Sequence, residues 1–147
     1  MPATHVRRQI REAAATALAG LTTTGANVLQ SRMRPRDDAL LPCVLVTTND
    51  ENVAPGSVGT QQERELTLSI IGIEKGTGAL DDTLDAIALE VETKLATVPT
   101  LGGLAAGMEL RGLQVQFSDE LDQTVGQIVL DYRITYFVAS GSPGSVL

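Results

Sequence analysis

The sequence predicts an α+β fold, in which an antiparallel or mixed β-sheet carries two main helices on one face. Two segments place apolar residues at helical spacing, and several others show the two-residue alternation or the β-branched run of strands. The strands follow one another in hairpin-compatible pairs, which favours an antiparallel sheet. With 147 residues, we expect a single domain over residues 1–138, followed by a flexible C-terminal tail over 139–147.

The first helix is predicted from Thr4 to Leu21, with Thr4 as its N-cap and the Gly20–Gly25 region ending it. Its apolar stripe consists of Val6, Ile10, Ala13, Ala14, Ala17 and Leu21. The charged side chains point away from this stripe, which is typical of a helix packed on a core.

Strands follow this helix. A short edge strand is predicted over Asn27–Arg32, and Cys43–Thr47 has the β-branched character of a buried strand. From Asn49 to Gln62 the chain is polar and contains proline and glycine, which predicts a long loop. Such a loop could become ordered on contact with a partner.

The strand predicted over Arg64–Lys75 changes the phase of its apolar residues. Leu66, Leu68 and Ile70 share one face, whereas Ile71 and Ile73 lie on the other. The change indicates either a β-bulge near Gly72 or a strand that is covered on both sides.

The second helix is predicted from Leu80 to Val98. Its apolar stripe is formed by Leu80, Leu84, Ile87, Val91, Leu95 and Val98. Asp81, Asp82 and Asp85 lie in its first turns, where the helix dipole stabilises negative charge.

Two strands complete the pattern, over Met108–Ser118 and Thr124–Val138. The last has an apolar face, and its other face carries Asp131, Arg133 and Thr135, which predicts a sheet with one partly hydrated side.

Composition excludes several classes of protein. A net charge of −7 argues against a general nucleic-acid binder, which needs a basic surface. One cysteine precludes an intrachain disulfide and is typical of a reducing compartment. The apolar runs are too short to span a bilayer, and the N-terminus lacks the apolar region of a signal peptide. We therefore expect a protein that stays in the cytoplasm where it is made.

The residues that carry catalysis are scarce, so we expect neither an enzyme nor a cofactor. His5 is predicted to be a solvated surface residue and Cys43 a small buried apolar side chain. The acidic clusters lack the spacing of a calcium loop and are better explained by turns and helix starts. Gly76-Thr77-Gly78 lacks the third glycine of a dinucleotide site and is followed by two aspartates.

One leucine breaks the pattern of its helix. Leu89 lies about 160° around the second helix from Val91, on the predicted solvent face. An exposed leucine on an acidic protein is also typical of a subunit contact. The predicted subunit interface therefore comprises Leu89, Asp82, Ala86 and Thr93 of this helix, with Asn52, Val53 and Val58 of the polar stretch.

Local stretches along most of the chain, about Val6 to Val138, resemble the tail terminator family of long-tailed bacteriophages, of the minor tail protein U type. They are Ile10-Arg11-Glu12, Arg34-Pro35, Leu41-Pro42-Cys43-Val44-Leu45-Val46, Arg64-Glu65-Leu66, Leu84-Asp85-Ala86-Ile87-Ala88-Leu89-Glu90-Val91-Glu92, and Gly126-Gln127-Ile128-Val129-Leu130-Asp131-Tyr132-Arg133-Ile134-Thr135-Tyr136. The element order resembles that family as well. Head–tail joining proteins of the same size look similar at this level.

The resemblance implies a non-enzymatic virion protein that forms a homo-oligomeric ring, a hexamer in this family, on the head-proximal end of the tail tube. Its partners would be further copies of itself, the tail tube protein and the head connector, with DNA passing through the channel without specific binding and no membrane contact. Assembly would take place in the host cytoplasm.

Three alternatives remain at this stage. They are a head-completion or neck protein, a small ligand-binding domain using Tyr132, Arg133 and Tyr136, and an enzyme with a metal ion held between chains.

Overall fold

The fold consists of two helices and one six-stranded sheet, seen in a computed structural model that describes residues 4–30, 41–56, 59–120 and 123–147. The elements are α1 (Val6–Leu18), β1 (Val28–Gln30), β2 (Cys43–Pro55), β3 (Gln61–Gly76), α2 (Leu80–Ala96), β4 (Gly107–Glu120), β5 (Gln123–Ala139) and β6 (Ser142–Val146). The sheet order is β1-β2-β3-β5-β4, with β6 also paired to β5. Among the strand pairs of the described residues, the short β1–β2 pair alone is parallel. The predicted α+β class is confirmed.

Both helices pack on the same face of the sheet. Their buried apolar residues join those of alternate strand positions in one aliphatic core, which includes Ile10 and Leu18 of α1 and Leu84 and Ile87 of α2. This burial accounts for the hydrophobic stabilisation of the domain, since about 25 cal/mol is gained for each Å² of apolar surface removed from water.

The phase change in β3 comes from a strand covered on both sides, and the alternative of a bulge near Gly72 is wrong. Pairing with β5 runs without a register shift from Gln61 to Gly76. Past Ile70 the opposite face carries a second buried cluster, formed by Cys43, Leu45, Ile73 and Val125, with Leu29, Leu41 and Ile71 packed against it. The glycine lets α2 approach, because a Cβ on Gly72 would lie 2.7 Å from Ile87 Cγ2.

The long loop predicted over Asn49–Gln62 is wrong. β2 continues to Pro55 and β3 already begins at Gln61, so the two strands form a hairpin. A register shift between Thr48 and Glu51 places one extra residue in β2. The prediction failed because the end of this hairpin is exposed, and its residues are therefore polar.

Chain ends also differ from prediction. Helix α1 begins at Val6 with His5 as its N-cap, not Thr4, and ends at Leu18, while α2 ends at Ala96. Where a flexible tail was predicted, Ser142–Val146 form β6, in which Val146 pairs with Val138. The side-chain amide of Gln9 also donates to the Gly144 carbonyl, at 2.9 Å, so this end of the chain contacts α1.

His5 is half-buried, so the prediction of a solvated surface residue is wrong. Its Nδ1 accepts a hydrogen bond from the backbone N–H of Arg7 at 3.1 Å, which caps α1. Burial lowers the pKa of His5, the nearby Glu51 raises it, and Arg64 and Arg7 lower it. Protonation of Nδ1 would remove the acceptor that caps the helix.

We expect the domain to lose stability as the pH falls below about 6.5, the ordinary pKa of histidine. A pKa lowered in the folded state means that the unfolded chain binds the proton more tightly, so acid favours unfolding. The substitution His5→Asn keeps a helix-capping acceptor that does not titrate. It should therefore make the free energy of unfolding less dependent on pH between pH 7.5 and 5.5. Urea unfolding at a series of pH values tests this; equal slopes for both proteins would contradict it.

Candidate subunit interface

Strand β4 forms one end of the sheet and carries a row of half-exposed apolar side chains, which we call the apolar stripe. Leu113, Val115 and Phe117 are 47%, 48% and 49% exposed. Their partners across the ladder, Leu130 and Ile128 for the first two, are 0% and 3% exposed. On this face of the sheet, the side chains of β5 are therefore buried, whereas those of β4 next to it are half exposed.

The position of α2 explains this difference. The helix lies over β3 and β5, where Gly72 and Gly126 let it approach the backbone: a Cβ on Gly126 would lie 3.0 Å from Leu84 Cδ1. The same Cβ would lie 3.1 Å from the ring of Phe117, so Phe117 packs over Gly126 at the margin of α2. The apolar stripe therefore faces the helix layer but lies beside α2, not beneath it.

The margin of α2 nearest β4 is acidic, and we call it the acidic flank. Asp81 and Asp82 lie around a depression with Phe117, and Glu92 lies around a second one with Leu110. Asp85 follows Asp81 by four residues and so lies on the same side of the helix. Burial, and secondarily the charge of Glu92, raises the pKa of Tyr132 to about 12.

The other end of the sheet is formed by β1 and β2, under the basic side of α1. Arg7 donates to the Asn49 carbonyl at 2.9 Å, and Arg11 donates to Thr48 Oγ1 at 3.3 Å. These acceptors are uncharged, so neither contact neutralises a guanidinium. Further along the same strand, Val53 of β2 is 51% exposed.

The sheet face away from the helices is polar near β4, as predicted. Glu109 accepts hydrogen bonds from Arg111 at 2.9 Å and Arg133 at 2.8 Å, and these bonds lower the pKa of the Glu109 carboxyl. Asp131 accepts a hydrogen bond from Ser69 at 2.6 Å.

The residues predicted as a subunit interface fall on two separate surfaces. Leu89 is 67% exposed, and it shares the outer side of α2 with Asp82, Ala86 and Thr93. Asn52 and Val53 are exposed on β2, while Val58 lies outside the described residues. The structure brings the first four together but does not join them to β2. Their role as contacts stays a prediction.

The apolar stripe was missed as a candidate site. Its signal is present in the sequence, because Leu113, Val115 and Phe117 alternate with glutamines. That pattern is also typical of a strand whose apolar face is buried by its own domain. Only the strand order shows that β4 lies at an end of the sheet.

The residues nominated for a ligand pocket do not converge. Tyr132 and Tyr136 point into the core beneath the helices, whereas Arg133 lies on the opposite face with Glu109. Within the described ranges, no three His, Cys, Asp or Glu residues are grouped so that they could hold a metal ion. No helix in the part of the chain described is long and apolar enough to cross a membrane.

Cys43 is a buried free thiol, as predicted. Burial, and secondarily the charge of Glu74, raises the pKa of its thiol to about 11. Since the thiolate is the reactive form, we expect native protein to resist iodoacetamide at pH 8, whereas protein unfolded in urea should be alkylated fully. Mass spectrometry of the two samples measures this; rapid labelling of the folded protein would contradict the burial.

Comparisons with known proteins give a family and a structural likeness. The family model described as phage minor tail protein U matches residues 5–136. No curated protein matches the sequence. Among solved structures, a chain of the "Virion of native gene transfer agent (GTA) particle" is similar at 18% identity and a TM-score of 0.48, over 89% of this chain and 92% of that one.

The family match extends from His5, the N-cap of α1, to Tyr136, three residues before the end of β5. It therefore includes both helices, β1 to β4, most of β5, and each of the surfaces described above. The resemblance seen in local stretches of the sequence is confirmed by this match. The chain belongs to the phage minor tail protein U family, whose members are structural proteins of the phage tail.

Proposed function

We propose that this protein forms a homo-oligomeric ring, a hexamer, which caps the head-proximal end of the tail tube and ends its polymerisation. The observation that carries the proposal is the match of the minor tail protein U family to residues 5–136. The apolar stripe supports it, since a contiguous apolar surface at the end of a sheet is favourable once another subunit covers it.

A ring needs two different contact surfaces on each subunit. Head-to-tail contacts close into a ring when the rotation between neighbours allows it, and they leave two unlike ring faces. One face would bind the tail tube protein, and the other would present a surface to the head connector. The acidic balance, a net charge of −7, suits a channel through which DNA passes without specific binding. In this proposal the protein is a non-enzymatic part of the virion.

The test is a phage that lacks the protein. If the ring ends tube growth, electron microscopy should show tails of excessive and variable length that are not joined to heads. Supplying the intact protein from a plasmid should restore one tail length and infectivity. Tails of normal length that fail to join heads would contradict tube termination and would instead indicate a head-completion or neck role.

A further inference from the structure

We infer that the β4 end of one copy docks onto the β1–β2 end of a second copy, so that the sheet continues from subunit to subunit. The acidic flank of the first copy then lies against the basic side of α1 in the second. That the docked partner is a second copy of this chain rests on the proposed function. The fit between the two surfaces rests on their strand edges, exposed apolar side chains and charges.

Both ends of the sheet present strand edges. In the part of the chain that the structure describes, β4 pairs with β5 alone, so its second edge has no strand beside it. At the other end β1 covers only Val44–Val46 of β2, which extends to Pro55. An unpaired edge offers backbone N–H and C=O groups to another strand.

Strand directions permit this pairing. β1 and β2 run parallel to each other, β3 runs opposite to β2, β5 opposite to β3, and β4 opposite to β5. It follows that β4 is antiparallel to β1 and β2 when a second copy is placed beside the first with its helices on the same side. The junction therefore repeats the antiparallel pairing that dominates the sheet.

The apolar side chains of the two ends lie on the same side of the sheet. The apolar stripe faces the helix layer, as shown by Phe117 packing over Gly126. Val53 is in register with Arg64, which is in register with the buried Tyr136, so Val53 also faces that layer. Docking would bury these exposed residues against one another, which supplies the main favourable free energy.

Charge selects this orientation of the copies. Asp81, Asp82 and Asp85 border the β4 end, whereas Arg7 and Arg11 lie on the side of α1 above the opposite end. Continuing the sheet places the acidic residues of one copy next to the basic residues of the next. Two β4 ends facing each other would instead bring like charges together, which disfavours a symmetric dimer.

Two variants, each blocked at one end, test the head-to-tail contact. Val115→Glu places a charge in the apolar stripe, and Val53→Glu places a charge at the opposite end. Both side chains are about half exposed, so the folded domain should persist, which circular dichroism can verify. Each variant alone should self-associate about 100-fold more weakly than the unchanged protein, the loss expected from burying a charge in place of an apolar side chain.

Mixing the two variants gives the decisive readout, because each retains one intact end. Sedimentation velocity and native mass spectrometry of the mixture should show mixed dimers and nothing larger. A matched control, Thr22→Glu in the exposed turn after α1, should associate like the unchanged protein. Homodimers of Val115→Glu, or the same loss in the Thr22→Glu control, would overturn the inference.

Cross-linking on assembled tails separates this inference from the proposed function. A chain with Asp119→Cys and Gln30→Cys carries one exposed thiol at each end of the sheet, both on the helix side, and the buried Cys43 does not compete. A short bismaleimide should give a ladder of covalent oligomers from tail particles. A ring on tails without this ladder would overturn the docking mode and leave tube capping intact. If the purified protein gives the ladder of oligomers but the deletion phage makes normal tails, tube capping is refuted and the docking mode stands.

Discussion

Replacing Glu51 by alanine is expected to lower the free energy of unfolding by about 3–5 kcal/mol, the cost of removing one partner of a buried ion pair. Glu51 Oε2 lies 3.1 Å from Arg64 Nη1, and the two side chains are 8% and 14% exposed. The other carboxylate oxygen accepts a hydrogen bond from the hydroxyl of Tyr136. Glu51→Ala would leave a buried guanidinium and a buried hydroxyl without this acceptor.

The chain offers a matched control at its surface. Arg8 and Glu12 form an ion pair at 2.7 Å, but their side chains are 62% and 45% exposed. Such an i,i+4 pair contributes about 0.3–0.5 kcal/mol, so Glu12→Ala should leave the urea unfolding curve almost unchanged. Equal losses in the two variants would show that Glu51 and Arg64 are effectively hydrated.

Neutral variants separate charge from hydrogen bonding at this site. Burial and the hydrogen bond to Glu51 raise the pKa of Tyr136, so its hydroxyl remains a donor at neutral pH. Glu51→Gln preserves an acceptor for that hydroxyl but removes the charge. We therefore expect it to lower the free energy of unfolding by less than Glu51→Ala does. Replacing both Glu51 and Arg64 by leucine should cost less than Glu51→Ala, because no charge is then left unpaired.

The sequence predicted the elements that have a strong period and failed where exposure weakens that period. Helix α2 and strand β5 present long apolar faces, and both were placed within about two residues of their observed bounds. The outer half of the β2–β3 hairpin is polar and contains Pro55, so it was mistaken for a loop. Strand β6 is short and rich in Ser and Gly, and only its pairing with β5 makes it a strand.

The candidate interface could not be located from the sequence, because exposure depends on tertiary neighbours. Leu113 and Leu130 occupy equivalent alternating positions in neighbouring strands, yet one is 47% exposed and the other 0%. The difference arises from which strands α2 covers, and local periodicity carries no information on that choice. Leu89, by contrast, could be predicted to be exposed, since its place on the helix follows from the helical period alone.

The contact between α2 and β3 provides the second large effect. Ile87 is fully buried against Gly72, and Ile87→Ala is expected to cost about 2–5 kcal/mol through lost burial and a residual cavity. Gly72→Ala is expected to cost about 1–3 kcal/mol, because the new methyl group would lie 2.7 Å from Ile87 Cγ2 and 3.2 Å from Ile128 Cγ2. Gly112→Ala is the control, since a Cβ there meets nothing within 4 Å.

These two changes should not be additive. Ile87→Ala removes the Cγ2 atom that the new methyl group at Gly72 would strike, and that methyl group in turn fills part of the space left by the isoleucine. The double variant should therefore lose at least about 1 kcal/mol less than the sum of the single losses, as expected for residues in direct contact. Urea unfolding of the four proteins in the cycle measures the coupling. Additive losses would mean that α2 shifts away from β3 when Gly72 is substituted, and that its position is not fixed by this contact.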